Sequence, residues 1–403
     1  MIDENSNINE LRIRNQKLRI PKTEIEKFFS HYTNTKYDSI LLAAVLFLVG
    51  IGTVMIFSSS SALAFQRYGN SYFFLQKQVI YALIGSIAMI IACNIPITIY
   101  KYLAYPSLLI SLICLLTLFL PGWGYTAGGA TRWLRLWGLS FQPSELARFS
   151  LILYLAYSIS KKQKKIQEFS IGFLPHAFVV GIFLLLIALQ PDFGSVVIMA
   201  IMAIMMLFAG GVRFIHLFTC FLAMLPAGYY LVVNAPYRLK RIMTFLNPWE
   251  HELDSGYQII HSLMAFGSGG IFGKGIGRGY QKLFYLPEPH TDFIFSVVGE
   301  ELGLIGVILI ICLYILILWR GYYLAIKTNN LFASYLAIGF TTAISLQVCI
   351  NLSVTLGLLP TKGLTLPFLS YGGTSLIINM VTIGILMNIS SNISIYGNKN
   401  GVF

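Results

Sequence analysis

Asp292 is the side chain in this sequence best placed to act chemically. It ends the stretch Leu286-Pro287-Glu288-Pro289-His290-Thr291-Asp292 and stands directly before a long apolar run that opens at Phe293. That position predicts a helix start at a membrane surface, where capping alone accounts for an aspartate. Two features point beyond capping: few acids share its side of the membrane, and it adjoins a basic loop and an apolar wall. The helix dipole and nearby cations lower its pKa while an apolar setting raises it, so the sequence leaves its charge state open.

Cations gather on the same side. Arg132 and Arg135 lie among three tryptophans and a tyrosine in the segment from Gly122 to Trp137. An aromatic belt explains the rings but not the arginines. Arg238, Lys240 and Arg241 follow in a long loop, then Lys274, Arg278 and Lys282, and finally Lys362. Such a basic and aromatic rim around one carboxylate, with lipid-facing walls, suits a substrate with an anionic head group and a lipid tail. A lipid-phosphate leaving group needs cations rather than a strong acid, and Asp292 then serves as general base toward a hydroxyl.

Other motifs are read against simpler accounts. Glu145 falls in the first turn of a predicted helix capped by Ser144 and reaches Arg148 at i+3, which serves a structural pair as well as a functional one. The run Gly267 to Gly279 fails as a P-loop: Ser268 stands where a glycine is required, and Gly275 where Ser or Thr must follow Lys274. What survives is a backbone able to approach an anion closely, with plain loop flexibility explaining it equally. Glu300 and Glu301 sit about 12 Å further along the helix at 1.5 Å per residue. Structural roles are favoured for them, because Ser296, Gly299 and Gly303 form a small-residue stripe for close packing. Between Leu359 and Ser375 a re-entrant turn lined by Ser370, Thr374 and Ser375 competes with a kinked helix. No zinc spacing and no nucleophile elbow is present. A divalent cation, magnesium or manganese, held by Asp292, Glu288 and a substrate pyrophosphate is allowed but not demanded.

The elements that must position these residues follow from composition. Hydrophobic residues make up 56% and charged ones 11% of 403 residues, too few charges to cover a water-exposed surface. A soluble enzyme is excluded. Apolar runs at about 39–57, 78–96, 102–120, 144–160, 172–189, 193–209, 214–233, 293–318, 332–356 and 366–388 are each long enough to cross as a helix. The expected fold is an all-α polytopic membrane protein of about ten transmembrane helices. A cytoplasmic tail, 1–38, precedes a membrane domain, 39–390, with a long extracytoplasmic loop, 234–292, and a cytoplasmic tail, 391–403. Gln190-Pro191-Asp192 makes spans five and six either a tight hairpin or one broken element. With both termini inside, that side carries sixteen Lys and Arg, against six outside once the long loop is left out. Lys161, Lys162, Lys164 and Lys165 are sufficiently explained as a cytoplasmic anchor. The net charge of +12 thus needs no nucleic acid. The five cysteines all fall in or at the ends of apolar spans, which argues against a disulfide framework.

Four stretches resemble the motifs of a known family. Gln142-Pro143-Ser144-Glu145-Leu146-Ala147, Gln190-Pro191-Asp192-Phe193-Gly194, Leu286 to Gly303 and Pro360 to Ser375 look like those of the SEDS proteins of bacteria (shape, elongation, division and sporulation). The similarity runs over essentially all ten spans. Pro360-Thr361-Lys362-Gly363-Leu364-Thr365-Leu366-Pro367 is more similar to the division member than to the elongation paralogue. The resemblance implies a peptidoglycan glycosyltransferase that polymerises lipid II on the outer face of the cytoplasmic membrane, at the division septum. It implies a class B penicillin-binding transpeptidase and other divisome membrane proteins as partners. Asp292 matches the family's essential aspartate, and Arg148 matches a basic position of the fourth span where many members carry lysine, a swap that changes geometry. Arg132, Glu145, Lys274, Glu288 and Lys362 match characteristic positions. In this reading Arg132, Arg148, Lys274 and Arg278 neutralise the pyrophosphate. A lipid II flippase, the elongation paralogue and a non-catalytic divisome scaffold are the alternatives.

Overall fold

The computed structural model describes residues 37–399 apart from 128–129, 137–138, 235, 253–255 and 284. The expected tail therefore lies outside the described residues except for its last two. Ser39–Ile389 forms one compact unit, and a second unit includes the end of the last helix from Ser390.

Each of the ten apolar runs is a helix: α1 Ser39–Tyr68, α2 Phe73–Asn94, α3 Ile97–Thr117, α4 Pro143–Lys161, α5 Leu174–Leu189, α6 Phe193–Ala209, α7 Phe214–Val233, α10 Ile294–Lys327, α11 Leu331–Thr355 and α12 Gly373–Lys399. Between α7 and α10 lie α8 Pro236–Leu246 and α9 Tyr257–Gly269, so the long loop carries helices of its own. Among the described residues, seven helices are long and apolar enough to cross a membrane, while α6 and α7 are shorter apolar helices. Their patterning is inside out. On α2 the buried face carries Gln78, Tyr81, Gly85 and Met89, and the outer face exposes Leu83, Ile87 and Ile91, as lipid rather than water requires. In lipid a helix satisfies its own interior backbone within one segment, which is why these runs are helical.

Three departures from the expected fold shape the site. The helices carry one addition, a three-stranded antiparallel sheet of β1 Gly124–Ala127, β2 Ala130–Leu136 and β3 Leu139–Phe141. Its strands contain the tryptophan and arginine segment expected as an irregular belt. Second, α5 and α6 pack against each other, so Gln190-Pro191-Asp192 is a hairpin. Asp192 caps α6, accepting hydrogen bonds from Ser195 N at 3.5 Å and Ser195 Oγ at 2.7 Å. Third, residues 356–372 have no regular helix or strand and turn back into the bundle. Tyr314 of α10 donates a 2.5 Å hydrogen bond to Pro367 O. A Cβ on Gly52, midway along α1, would lie 2.8 Å from Phe368 O and Leu369 O. The re-entrant turn is thus the structure, and the kinked helix is not.

The helix α10 is two limbs. Gly303 has φ 65° and ψ −163°, a conformation essentially restricted to glycine. The groups freed by the break are met by the glycine-rich loop. Lys274 N and Gly275 N donate to Glu300 O and Glu301 O, each at 3.0 Å, while Leu304 N and Ile305 N donate to Gly270 O and Ile271 O at 2.9 and 3.2 Å. The predicted stripe is the contact surface. Ser296 Oγ meets Ser262 Oγ at 2.6 Å, Gly299 packs on Phe266 and the backbone of Gly269, and Gly303 on the backbone of Gly273. Glu300 and Glu301 accordingly end a short first limb instead of lying within one unbroken span, because residues 304–327 are about 36 Å long and can cross alone. Gly303→Ala is expected to cost at least about 1–3 kcal/mol from backbone strain. It should lower the melting temperature in detergent, whereas Gly267→Ala, which meets nothing within 4 Å, should not.

Candidate active site

Four irregular or short elements meet around Asp292: the turn before α10, the re-entrant loop, the α5–α6 hairpin and β2. Their backbone is held from below by α11. Asn351 Nδ2 donates to Asp292 O at 3.0 Å and to Leu364 O at 2.6 Å. One turn earlier Gln347 Nε2 donates to Thr365 O at 3.1 Å. A single amide therefore fixes the Asp292 backbone against the loop that carries Lys362. The side chain follows: a Cβ on Gly363 would lie 2.8 Å from Asp292 Oδ2, so the carboxylate rests over a glycine. Asn351→Ala removes two hydrogen bonds and leaves both buried carbonyls short of a donor. A displacement of about 1 Å at a reacting group costs on the order of 10²-fold. Turnover by Asn351→Ala is expected to fall by about that factor while substrate KM changes much less, as steady-state rates will show.

Lys362 occupies a second glycine seat, its Cε and Nζ lying against Gly194 beside the Asp192 cap. Arg132 of β2 donates to Pro191 O at 2.5 Å, and its buried Nε has no partner. From α8, Arg241 Nη1 donates to Thr361 O at 3.2 Å, and the Arg238 guanidinium stacks 3.6 Å from the Phe193 ring centroid. These arginines all act on Lys362, and Arg132 and Arg241 act on Asp292. The site is the Asp292 carboxylate and the Lys362 ammonium, linked by Arg132 and Arg241, with the buried Asp192 carboxylate beside Lys362.

Burial pushes the Asp292 carboxyl up to about 7, Glu288 adds to the rise, and Arg132 and Arg241 oppose it. Burial also brings the Lys362 ammonium down to about 8, with Asp192 resisting and Arg132, Arg241 and Arg238 reinforcing the fall. Desolvation is the largest cause in both cases, each residue being half-buried. His290 is lowered to about 4 by burial and by Arg67, so its ring is neutral near pH 7 and its 3.8 Å approach to Glu288 is no ion pair. It acts as a strut: Tyr371 N donates to His290 O at 2.9 Å, and its ring packs 4.4 Å from that of Phe74.

The structure therefore brings Asp292, Arg132 and Lys362 together, with Glu288 exposed at the edge. Glu145 and Arg148 are buried in α4 and bound to each other, and Arg148 lines a small cavity with Asn379 and Thr382. The glycine-rich loop corrects the expectation for Lys274. Its anion is the protein's own: Lys274 Nζ binds Glu300 Oε1 at 3.0 Å, and Tyr280 N and Gln281 N bind the same carboxylate. Gly277 N binds Glu301 at 3.1 Å. Lys274 is thus already paired, and Arg278 is exposed on that loop. Among the described residues no three His, Cys, Asp or Glu side chains converge on a cation. An ion at Asp292 and Glu288 would have to complete its shell with phosphate oxygens and water, as magnesium commonly does.

Arg238 and Arg241 enter the sequence reading only as loop charges, and Asn351 does not enter it. Arg238 and Arg241 are three apart in a helix whose opposite stripe is apolar, a periodicity that places both on one face. Asn351 belongs to a polar row, Gln347, Asn351 and Thr355, at i, i+4 and i+8 inside an apolar span, and intramembrane polar residues are a readable signal.

Comparisons with known proteins agree with this architecture. The FtsW/RodA/SpoVE cell cycle protein model matches residues 39–395. A Geobacter metallireducens protein named probable peptidoglycan glycosyltransferase FtsW is 47% identical over 88% of this chain and 95% of its own. Stage V sporulation protein E of Bacillus subtilis is 42% identical over 88% and 96%. Among solved structures, a chain from a peptidoglycan synthase complex that coordinates polymerization and crosslinking superposes with a TM-score of 0.73 at 29% identity, covering 89% of this chain and 98% of that one. The rod shape determining protein RodA of Thermus thermophilus gives 0.64 at 27% identity, covering 88% and 96%. This chain belongs to the FtsW/RodA/SpoVE family of cell cycle proteins, the SEDS family that its motifs resemble.

Proposed function

We propose that this protein is a peptidoglycan glycosyltransferase that polymerises lipid II at the outer face of the inner membrane during septal wall synthesis. The observation that carries the reading is the placement of Asp292: a half-buried carboxylate resting over Gly363, with Arg132 and Arg241 acting on it and on the neighbouring Lys362, and with its carboxyl pushed up to about 7. A general base works best when its pKa lies near the working pH, and a pyrophosphate leaving group needs fixed positive charge. Asp292 takes the proton of the sugar 4-hydroxyl of the incoming lipid II. The freed oxygen pair attacks the anomeric carbon of the lipid-linked strand from the face opposite the pyrophosphate. The C–O bond to phosphate breaks, its electron pair leaves with the pyrophosphate, and the configuration inverts. Arg132 and Lys362, with Arg238 and Arg241, neutralise the departing charge, and the proton on Asp292 returns to water. Arg148, paired with Glu145, sets the α4 wall beside this site.

All ten apolar helices cross the membrane in this reading, with both termini cytoplasmic as the sixteen-to-six charge distribution requires. The division member's signature at Pro360 to Pro367 and relatives named FtsW support the septal assignment. A class B penicillin-binding transpeptidase is the proposed partner, since a structural neighbour comes from a complex that couples polymerization to crosslinking. The test is purified protein with lipid II in detergent, alone and with the transpeptidase. Glycan polymer is the expected product. Lipid translocation in vesicles with no polymer under any of these conditions would replace the reading with a flippase.

A further inference from the structure

The helix α8 has two faces with different surroundings. Inward it carries Arg238 and Arg241 to the Phe193 ring and the Thr361 carbonyl, and Thr244 is buried. Outward, at i, i+4 and i+7, Leu239, Met243 and Leu246 are 41%, 54% and 65% exposed, and Trp249 just beyond is 61% exposed. An apolar stripe left uncovered in water is costly. What covers it is indicated by where the helix begins. It starts at Pro236, three residues after α7 ends at Val233. The α7 surface exposes Phe218, Leu222, Leu225 and Tyr229, which is a lipid-facing side in a membrane helix. The uncovered stripe thus begins just past a helix whose exposed surface is apolar.

We propose that α8 is an interfacial helix: Leu239, Met243 and Leu246 are seated in the outer headgroup and acyl boundary of the bilayer, and this seating fixes the rotation that presents Arg238 and Arg241 to the site. An amphipathic helix with leucine and methionine on one face and arginine on the other lies in the interface plane, and Trp249 just beyond its end is an interfacial residue type. Because the two arginines are on the face opposite the stripe, lifting the stripe rolls both away from Lys362. The bilayer surface thereby becomes part of the site. The docking stands on its own, while its effect on catalysis rests on the glycosyltransferase reading.

Two measurements test this. In the first, Met243→Cys is labelled with a polarity-sensitive fluorophore, in a chain whose native cysteines are replaced, and reconstituted in phosphatidylethanolamine–phosphatidylglycerol nanodiscs. Emission shifted to the blue, with stronger quenching by a nitroxide near the headgroup than by one deep in the chain, is expected. An unquenched, water-exposed probe overturns the proposal. So does a probe shielded only after the transpeptidase is added, since the stripe is then a protein interface. In the second, Leu239→Asp with Met243→Asp is assayed for glycan synthesis in the same nanodiscs. KM for lipid II should rise about tenfold or more, the scale of one lost charge-assisted contact, while size-exclusion behaviour is unchanged. An unchanged KM would separate docking from the site and overturn the coupling. If the wild type makes no polymer, the functional reading fails, and the quenching result still decides the docking.

Discussion

Glycan synthesis by this protein is expected to follow a narrow bell in pH, rising through about 7 and falling through about 8. The acid limb belongs to Asp292. Its carboxyl, raised to about 7, is protonated below that pH and cannot accept the sugar proton, so the rate falls toward tenfold per unit as pH drops. The alkaline limb belongs to Lys362. Its ammonium, lowered to about 8, loses its charge above that pH and no longer stabilises the leaving pyrophosphate. Asp292→Ala removes the base and should lower turnover by about 10²–10⁴-fold, the usual worth of positioned proton transfer, without abolishing lipid II binding. Lys362→Arg keeps a charge at every working pH and should erase the alkaline limb while leaving the acid limb in place. Initial rates of polymer formation from pH 5.5 to 9.5 measure all three. A wild-type rate flat across pH 7, or an Asp292→Ala rate close to wild type, would remove Asp292 from the role of base.

What could be read in the sequence and what could not divides along physical lines. Periodicity and hydropathy are local, and they placed all ten helices and the stripe of Ser296, Gly299 and Gly303 that α9 and the glycine-rich loop pack against. Asp292 was legible because it directly precedes an apolar run, and Arg132 and Lys362 because they are basic residues on the side where positive charge is disfavoured. The destination of Lys274 was not legible. Its loop reads as an anion nest, which is correct, but the anion comes from Glu300 and Glu301 across a helix break that only the φ/ψ freedom of Gly303 permits. The pairing of Arg148 with Glu145 three residues earlier was legible from their i+3 spacing, and the structure forms it inside α4. The sheet that carries Arg132 is not legible because strands of seven residues and fewer, set between Trp123 and Trp137 in sequence, read equally as an interfacial belt. Arg238 and Arg241 were seen as loop charges. Their role depends on α8 lying beside the α5–α6 hairpin, a contact between segments more than forty residues apart that no local pattern encodes.

The largest stability effect is expected at Glu301. Its carboxylate is fully buried and accepts hydrogen bonds from Ser58 Oγ at 2.8 and 2.7 Å, Lys282 Nζ at 2.6 Å and Gly277 N at 3.1 Å. Lys282 is nearly as buried, and its other contact is to Ser58 Oγ at 2.8 Å. The trio ties α1 to the loop and to the first limb of α10, the segment that leads from Asp292. Glu301→Ala strands the Lys282 ammonium in a dry site, a loss typically worth about 3–5 kcal/mol. Glu300→Ala should cost less, because its partner Lys274 is 29% exposed and water can take over the solvation of that charge. Removing both members changes the balance again. The double variant Glu301→Gln with Lys282→Met buries no unpaired charge, and Gln still offers an acceptor to Ser58 and Gly277 N. It should recover a substantial part of the loss, so the two substitutions are strongly non-additive, as contacting charges are. Melting temperatures of the single and double variants in one detergent are the measurement. Equal destabilisation by Glu300→Ala and Glu301→Ala, or additivity in the double variant, would mean that the buried charge pair does not hold α1 to α10 in this way.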